Sequence, residues 1–265
     1  MPILFFSHAN SFPASTYRVI LDSLRARGFE VRAIEKYGHD PAYPVTDNWP
    51  HLVRQLADFA RQHGASREPA FLVGHSMGGL LSLMCAAQHP ELARGVLMLD
   101  SPVLGGWRAG ALGVTKRTPL MRRLSPSAIS RKRRNAWETR EAVFEHFRTK
   151  KPFARWDTQV LHDYVDHGVF SDGGGWQLAF SREVESAIYD GLPHNLGALL
   201  RRHPLRCPVA FVGGLQSAEM KRMGMETSAR LARGRVTMMD GTHLFPMERP
   251  LATAAAIEAG LRAMA

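Results

Sequence analysis

A serine lies between two glycines at Gly74-His75-Ser76-Met77-Gly78, a histidine closes Asp240-Gly241-Thr242-His243, and an acidic residue, Asp100, ends an apolar run. These residue types suit acyl transfer. A serine hydroxyl attacks a carbonyl only when an imidazole takes its proton, and the imidazole needs a carboxylate to fix its tautomer and stabilise its charged form. Ser76 is therefore the candidate nucleophile and His243 the candidate base.

The neighbouring residues supply the elements that must position them. Ala70-Phe71-Leu72-Val73 runs directly into the Gly-x-Ser-x-Gly stretch, and a helical pattern from Leu80 to Gln88 follows. A strand, a sharp turn and a helix place the hydroxyl at the top of a sheet, with glycines where neighbouring backbone passes closely. The strand-like Val236-Thr237-Met238-Met239 precedes the histidine, and Pro250 opens a helix after it. At the other end, Ile3-Leu4-Phe5-Phe6 runs into Ser7-His8-Ala9-Asn10-Ser11-Phe12-Pro13.

These loops, each at a strand end, resemble those of the α/β-hydrolase superfamily, and the likeness covers nearly the whole chain. His8-Ala9-Asn10 occupies the place of that superfamily's His-Gly-x segment, Ser76 its nucleophile elbow, and the stretch from Gly241 to Glu248 its terminal histidine loop. The resemblance implies an oxyanion hole made by the backbone amides of Asn10 and Met77. It gives His8 a structural task, organising the oxyanion loop by hydrogen bonds.

The acid departs from the common pattern. Most of the superfamily carries a carboxylate after the penultimate strand, where this chain reads Gly213-Gly214-Leu215-Gln216-Ser217-Ala218-Glu219, with Ser217 in the expected place. Asp100 ends the strand after the elbow helix, a position from which some relatives, including certain haloalkane dehalogenases, supply the acid. It is the expected partner of His243, although an aspartate there can also simply cap loop amides. Glu219 is the alternative and reaches only if its loop bends. Asp240 suits a local turn.

Along the chain, strands and helices alternate, the signature of a parallel sheet covered on both faces. The expected fold is an α/β-hydrolase fold with about six mostly parallel strands, helices on both faces and a helical cap, lacking the antiparallel hairpin that often comes first. Residues 1–103 and 190–265 form the expected core, and residues 104–189 the cap, where the alternation lapses around Gly105-Gly106 and Gly173-Gly174-Gly175.

From Thr115 to Lys151 there are twelve Lys or Arg against three acids, so this segment carries +9 of the chain's net +10. Arg131-Lys132-Arg133-Arg134 reads either as a solvated helix face or as part of a lid that steers anionic substrates or docks on an anionic surface. Nucleic-acid binding is not expected, because the charge has no interleaved aromatics or recognisable motif. Trp137 and Trp156, with Phe144, Phe147 and Phe153, form the cap's own small core and partly face the pocket. His75 either packs or lines the pocket floor.

At 265 residues and 45% hydrophobic, the chain can bury one large core. No apolar run approaches the roughly 20 residues of a membrane span, and the N-terminus opens on a strand, so the expected location is the cytoplasm. Cys85 and Cys207 read as buried free thiols. No metal-ligand spacing occurs, and neither metal nor other cofactor is expected.

Together these features point to a serine hydrolase acting on a small-molecule ester, thioester or lactone, an anionic one if the basic segment steers substrate. Serine at the elbow argues against the epoxide and haloalkane chemistries that use an aspartate there. The alternative is a non-catalytic or lyase-type relative that binds an anionic ligand or partner through the basic cap. Oligomeric state has no signature in the chain.

Overall fold

A computed structural model of the protein describes residues 1–103, 126–171 and 173–264. Its main sheet has six strands in the order β2-β1-β3-β4-β8-β9, all parallel. They are β1 (Ile3–Ser7), β2 (Glu30–Ala33), β3 (Ala70–His75), β4 (Ala93–Leu99), β8 (Val209–Gly214) and β9 (Val236–Met239). The central strands β3 and β8 are buried throughout, as expected where helices cover both faces, whereas β2 and β9 lie at the edges and are partly exposed.

Strand alternation sorts the core into two layers. Leu4 and Phe6 of β1 pack on one face with Ile20 and Leu24 of α1 (Arg18–Ala26) and with Ile257 and Leu261 of α12 (Pro250–Arg262). Phe5 points the other way, to Leu52 and Leu56 of α2 (Pro50–Ala60) and Leu81 of α3 (Met77–Gln88). Helix α1 ends where Gly28 takes φ +90°, and α2 starts on Pro50, a residue already set for a helix's first turn.

Between β4 and β8 the described residues hold α4 (Pro126–Lys132), β5 (Ala136–Trp137), α5 (Arg140–Arg148), α6 (Thr158–His167), β6 (Val169–Ser171), β7 (Trp176–Leu178), α7 (Arg182–Asp190) and α8 (Leu196–Arg202). The short strands form an antiparallel sheet in the order β5-β7-β6. This sheet was not expected from the sequence, because strands of two or three residues are too short to display an alternating pattern. Thr139, Asp157 and Ser181 cap α5, α6 and α7 with side-chain oxygens. The remaining helices are α9 (Ala218–Met223), α10 (Glu226–Ala232) and α11 (Phe245–Glu248).

The basic segment proves to be more than a bare charged face. Arg133 donates to Glu185 at 2.7 Å and to the Tyr164 hydroxyl at 3.1 Å, Arg131 pairs with Asp190, and Arg134 lies over the Trp137 ring. The Arg133 side chain is only 21% exposed, so it ties α4 to α7 and α6 instead of projecting a free charge. Gly105, Gly106, Lys116, Arg117, Arg122 and Arg123 lie outside the described residues. No helix among the described residues is long and apolar enough to cross a membrane. Cys85 is buried and Cys207 partly so, both as free thiols.

Candidate active site

Ser76 sits at the junction of β3 and α3 with φ +53° and ψ −116°, a conformation that costs a side-chain-bearing residue free energy and lifts the hydroxyl clear of the helix. Glycine permits the turn. A Cβ on Gly78 would collide with the Ser7 carbonyl, and one on Gly74 with the Gly78 backbone, so β1, β3 and the elbow approach more closely than any larger residue allows.

The Ser76 hydroxyl donates to His243 Nε2 at 3.0 Å, and His243 Nδ1–H donates to Asp100 Oδ2 at 2.6 Å. Three residues distant in sequence thus form one line. Asp100 also turns through a positive φ of 42° at the end of β4, with its own N–H bonded to the Val212 carbonyl of β8 at 2.8 Å. Its carboxylate is fully buried and accepts from the Gly214 N–H at 2.8 Å and from the Ser217 hydroxyl at 2.6 Å. Burial pushes this carboxyl's pKa up. The hydrogen bonds from His243, Gly214 and Ser217 outweigh it and hold the group below its ordinary value, hence ionised.

Glu219 comes near the same imidazole, with Oε2 3.9 Å from Nδ1, but its side chain is 42% exposed. Asp100 makes the short bond in the dry position, where an ionic hydrogen bond is worth more. Asp100, Glu219 and His243 place ligand-type atoms within 4.8 Å of one another. Both His243 nitrogens are already committed to Ser76 and Asp100, so a cation could bind there only by displacing that bonding.

Hydrogen bonds hold the loop that carries His243 and the loop that follows β1. The Thr242 hydroxyl and N–H both donate to Glu248, at 2.5 and 3.2 Å, closing the loop on α11, and Arg155 lies 3.4 Å from the same carboxylate. Gln216 accepts from the Gly241 N–H and donates to Asp240, which also pairs with Arg249, so Asp240 ties three segments of the chain together and its bonds are not those of a local turn. His8 Nδ1–H donates to the Ala9 carbonyl at 2.8 Å while Nε2 accepts from the Tyr37 N–H at 3.0 Å. Burial lowers the His8 pKa to about 4, leaving it a neutral organiser of the loop. Met77 is the first residue of α3, so its N–H has no acceptor within the helix.

A cavity of about 830 Å³ opens over this line and is bordered by Asn10, Ser76, Met77 and His243 from the core and by Lys151 and Tyr189 from the insertion. Its other walls are mostly apolar, among them Phe12, Leu80 and Ile188. Trp137, Trp156 and His75, read as packed residues that could also face the pocket, are packed and do not border the cavity. Trp137 is buried in β5 against His146 and Phe147, and Trp156 packs among Phe12, Phe153 and Tyr164. Both rings belong to the buried cluster that runs on into Leu4 and Phe6 of β1, so the residues between β4 and β8 share a core with one face of the main sheet. His75 is fully buried beneath Ser76, its Nδ1 bonded to the Tyr17 hydroxyl and its Nε2 to the His243 carbonyl, each at 2.8 Å. Nothing in the sequence marked Tyr17, whose part depends on how remote loops meet, whereas Glu248 and Lys151 lay within the histidine loop and the basic segment without being singled out.

Chemically, an imidazole oriented by a buried carboxylate beside a serine hydroxyl can remove the serine proton as the oxygen attacks a carbonyl.

Comparison with known proteins bears on the fold and family. A serine hydrolase-like protein of Dictyostelium discoideum is 23% identical over 259 residues, 89% of this chain and 68% of that protein. The 2-(acetamidomethylene)succinate hydrolase of Mesorhizobium japonicum is 28% identical over 105 residues, and a pyrethroid hydrolase of Sphingobium wenxiniae 34% identical over 90. These two matches span 35% and 30% of the relatives' own lengths. Among solved structures, the crystal structure of E-2-(acetamidomethylene)succinate hydrolase superposes with a TM-score of 0.77 at 21% identity, over 98% of this chain and 91% of that one. The thioesterase domain from the curacin biosynthetic pathway gives 0.72 at 15%, over 97% and 90%. A model of the alpha/beta hydrolase family matches residues 3–256, and with a parallel sheet in this order carrying a serine elbow, the chain belongs to that family.

Proposed function

We propose that this hydrolase is a serine hydrolase that cleaves a carboxylic ester, thioester or lactone of a small molecule. The observation that carries the reading is the line of two hydrogen bonds from Ser76 through His243 to Asp100 at the cavity floor. In this mechanism His243 Nε2 takes the Ser76 proton while Oγ attacks the carbonyl carbon, and the N–H groups of Asn10 and Met77 stabilise the oxyanion. The imidazolium returns its proton to the departing alcohol or thiol, leaving an acyl group on Ser76. A water deprotonated by the same nitrogen then releases the acid.

The apolar walls suit a substrate with a substantial hydrocarbon portion. Lys151 at the cavity, together with a relative named for a succinate derivative, supports an anionic group on that substrate. A fluorophosphonate probe tests the reading, since stoichiometric mass addition on Ser76, abolished in His243→Ala, is the expected result. An unlabelled wild-type protein that also fails to hydrolyse a nitrophenyl ester would overturn it in favour of a non-catalytic binding role.

A further inference from the structure

Beneath the cavity runs a chain of hydrogen bonds for which the proposed reaction has no use. The Tyr17 hydroxyl lies 3.1 Å from the Ala9 nitrogen and 2.8 Å from His75 Nδ1, and His75 Nε2 lies 2.8 Å from the His243 carbonyl oxygen. Elementary valence assigns every proton. The Ala9 N–H can only donate and the His243 carbonyl can only accept. His75 Nε2 therefore carries a proton. Burial lowers the His75 pKa to about 3, so the ring is neutral and its Nδ1 is an acceptor, to which the Tyr17 O–H donates while its oxygen accepts from Ala9.

Each end of this chain lies beside a group the reaction needs. Ala9 precedes Asn10, His75 precedes Ser76, and the last acceptor is the backbone of His243 itself. Tyr17 is 1% exposed and His75 0%, and neither borders the cavity. The two imidazoles of His75 and His243 lie with centroids 5.0 Å apart. In such dry surroundings a broken link leaves a buried polar group unpaired, so the chain holds as a unit or not at all.

We propose that Tyr17 and His75 are positioning residues that set the distance between the oxyanion donor at Asn10 and the base at His243, touching no substrate themselves. The inference rests on the serine-hydrolase reading. It requires their loss to fall on kcat, because the oxyanion and the transferring proton are features of the transition state and not of bound substrate.

The test measures hydrolysis of a nitrophenyl ester and affinity for an aryl boronic acid, which forms a tetrahedral adduct on the serine, in Tyr17→Phe, His75→Phe and His75→Gln. Tyr17→Phe removes only a hydroxyl, so it keeps the test open if His75→Phe fails to fold. Expected are a loss in kcat of about 10-fold for Tyr17→Phe and more for His75→Phe, KM within about threefold of wild type, and boronate affinity falling in parallel with kcat. His75→Gln, whose amide N–H can reach the His243 carbonyl, is expected to recover part of the loss. Wild-type kcat in Tyr17→Phe, or glutamine no better than phenylalanine at position 75, would overturn the inference while leaving the serine-hydrolase reading intact. Wild-type protein inert to both ester and fluorophosphonate would instead overturn that reading, and this inference with it.

Discussion

Ser217 Oγ donates to the same Asp100 oxygen, Oδ2, that accepts from His243 Nδ1. The serine stands where relatives of this fold commonly carry the acid, and its hydroxyl fills that space as a donor to a carboxylate arriving from β4. It also accepts from the Met220 N–H at 3.1 Å, capping α9, so the loop's start and the acid's orientation are set together. With Gly214 on the other oxygen, both carboxylate oxygens accept from protein donors.

Ser217→Ala is therefore expected to lower kcat by about 10-fold or more with KM little changed, because a hydrogen bond to a charged group is worth about 1.5–3 kcal/mol. The Asp100 carboxyl should titrate at higher pH, since this bond helps hold it down. Steady-state kinetics across acidic pH check both, and an unaltered profile would count against a role for the hydroxyl.

Asp100→Asn should reduce turnover by about 10⁴, because an amide opposite Nδ1 favours the wrong histidine tautomer. Glu219→Gln should change it less than threefold, given the 3.9 Å separation and the exposure of Glu219. The reverse ranking in kcat would make Glu219 the working acid.

How much of this was readable from the chain follows from the range of the forces involved. Ser76, His243 and the central strands are written in local signals, since an elbow needs glycine at fixed offsets and a doubly covered strand needs a continuous apolar run. Asp100 was one of two open choices, because which carboxylate reaches His243 depends on β4 and β8 pairing side by side and not on any spacing. Trp137 and Trp156 were expected to form a small core that partly faces the pocket, and His75 either to pack or to line the pocket floor; all three are packed away from the cavity. Their positions depend on packing partners such as Phe147, Tyr164 and Tyr17 that lie far away in sequence, and no periodicity in a strand of two residues such as β5 could have disclosed them.

Gly78→Ala should give protein that fails to fold or is severely destabilised, since the new methyl group meets the Ser7 carbonyl of a central strand, where neither backbone can retreat. Soluble yield and thermal unfolding against wild type decide it. A shift in Tm of only a degree or two would mean that the elbow tolerates a wider spacing than this geometry implies.

The buried histidines predict an acid-sensitive fold. His8 and His75 are held neutral by burial, with pKa lowered from 6.5 to about 4 and about 3. Between those values and 6.5 the unfolded chain binds protons that the folded chain does not, so their contribution is complete above pH 6.5 and falls away as pH drops toward 4. Each such histidine contributes a slope of up to about 1.4 kcal/mol per pH unit in that window. Urea unfolding of wild type and His75→Gln at pH 4.5 to 7 should show a shallower dependence in the variant. Parallel curves would mean that His75 takes up its proton equally in the folded and unfolded chain, against its being held neutral by burial.

Charge at the cavity can be separated from charge on the surface. Lys151 borders the cavity, whereas Arg131 is paired with Asp190 and Arg133 is engaged with Glu185 and Tyr164, so reversing Arg133 would test stability and not recognition. Lys151→Glu should lower the ratio of kcat/KM for a carboxylate-bearing ester over a neutral analogue by about 10-fold, while Arg131→Glu leaves the ratio near that of wild type. In wild type the ratio should shrink as salt rises from low ionic strength, because exposed charges are screened over about 8 Å at physiological concentration. A ratio that ignores both Lys151→Glu and salt would remove the anionic group from the proposed substrate and leave an apolar ester as the remaining class.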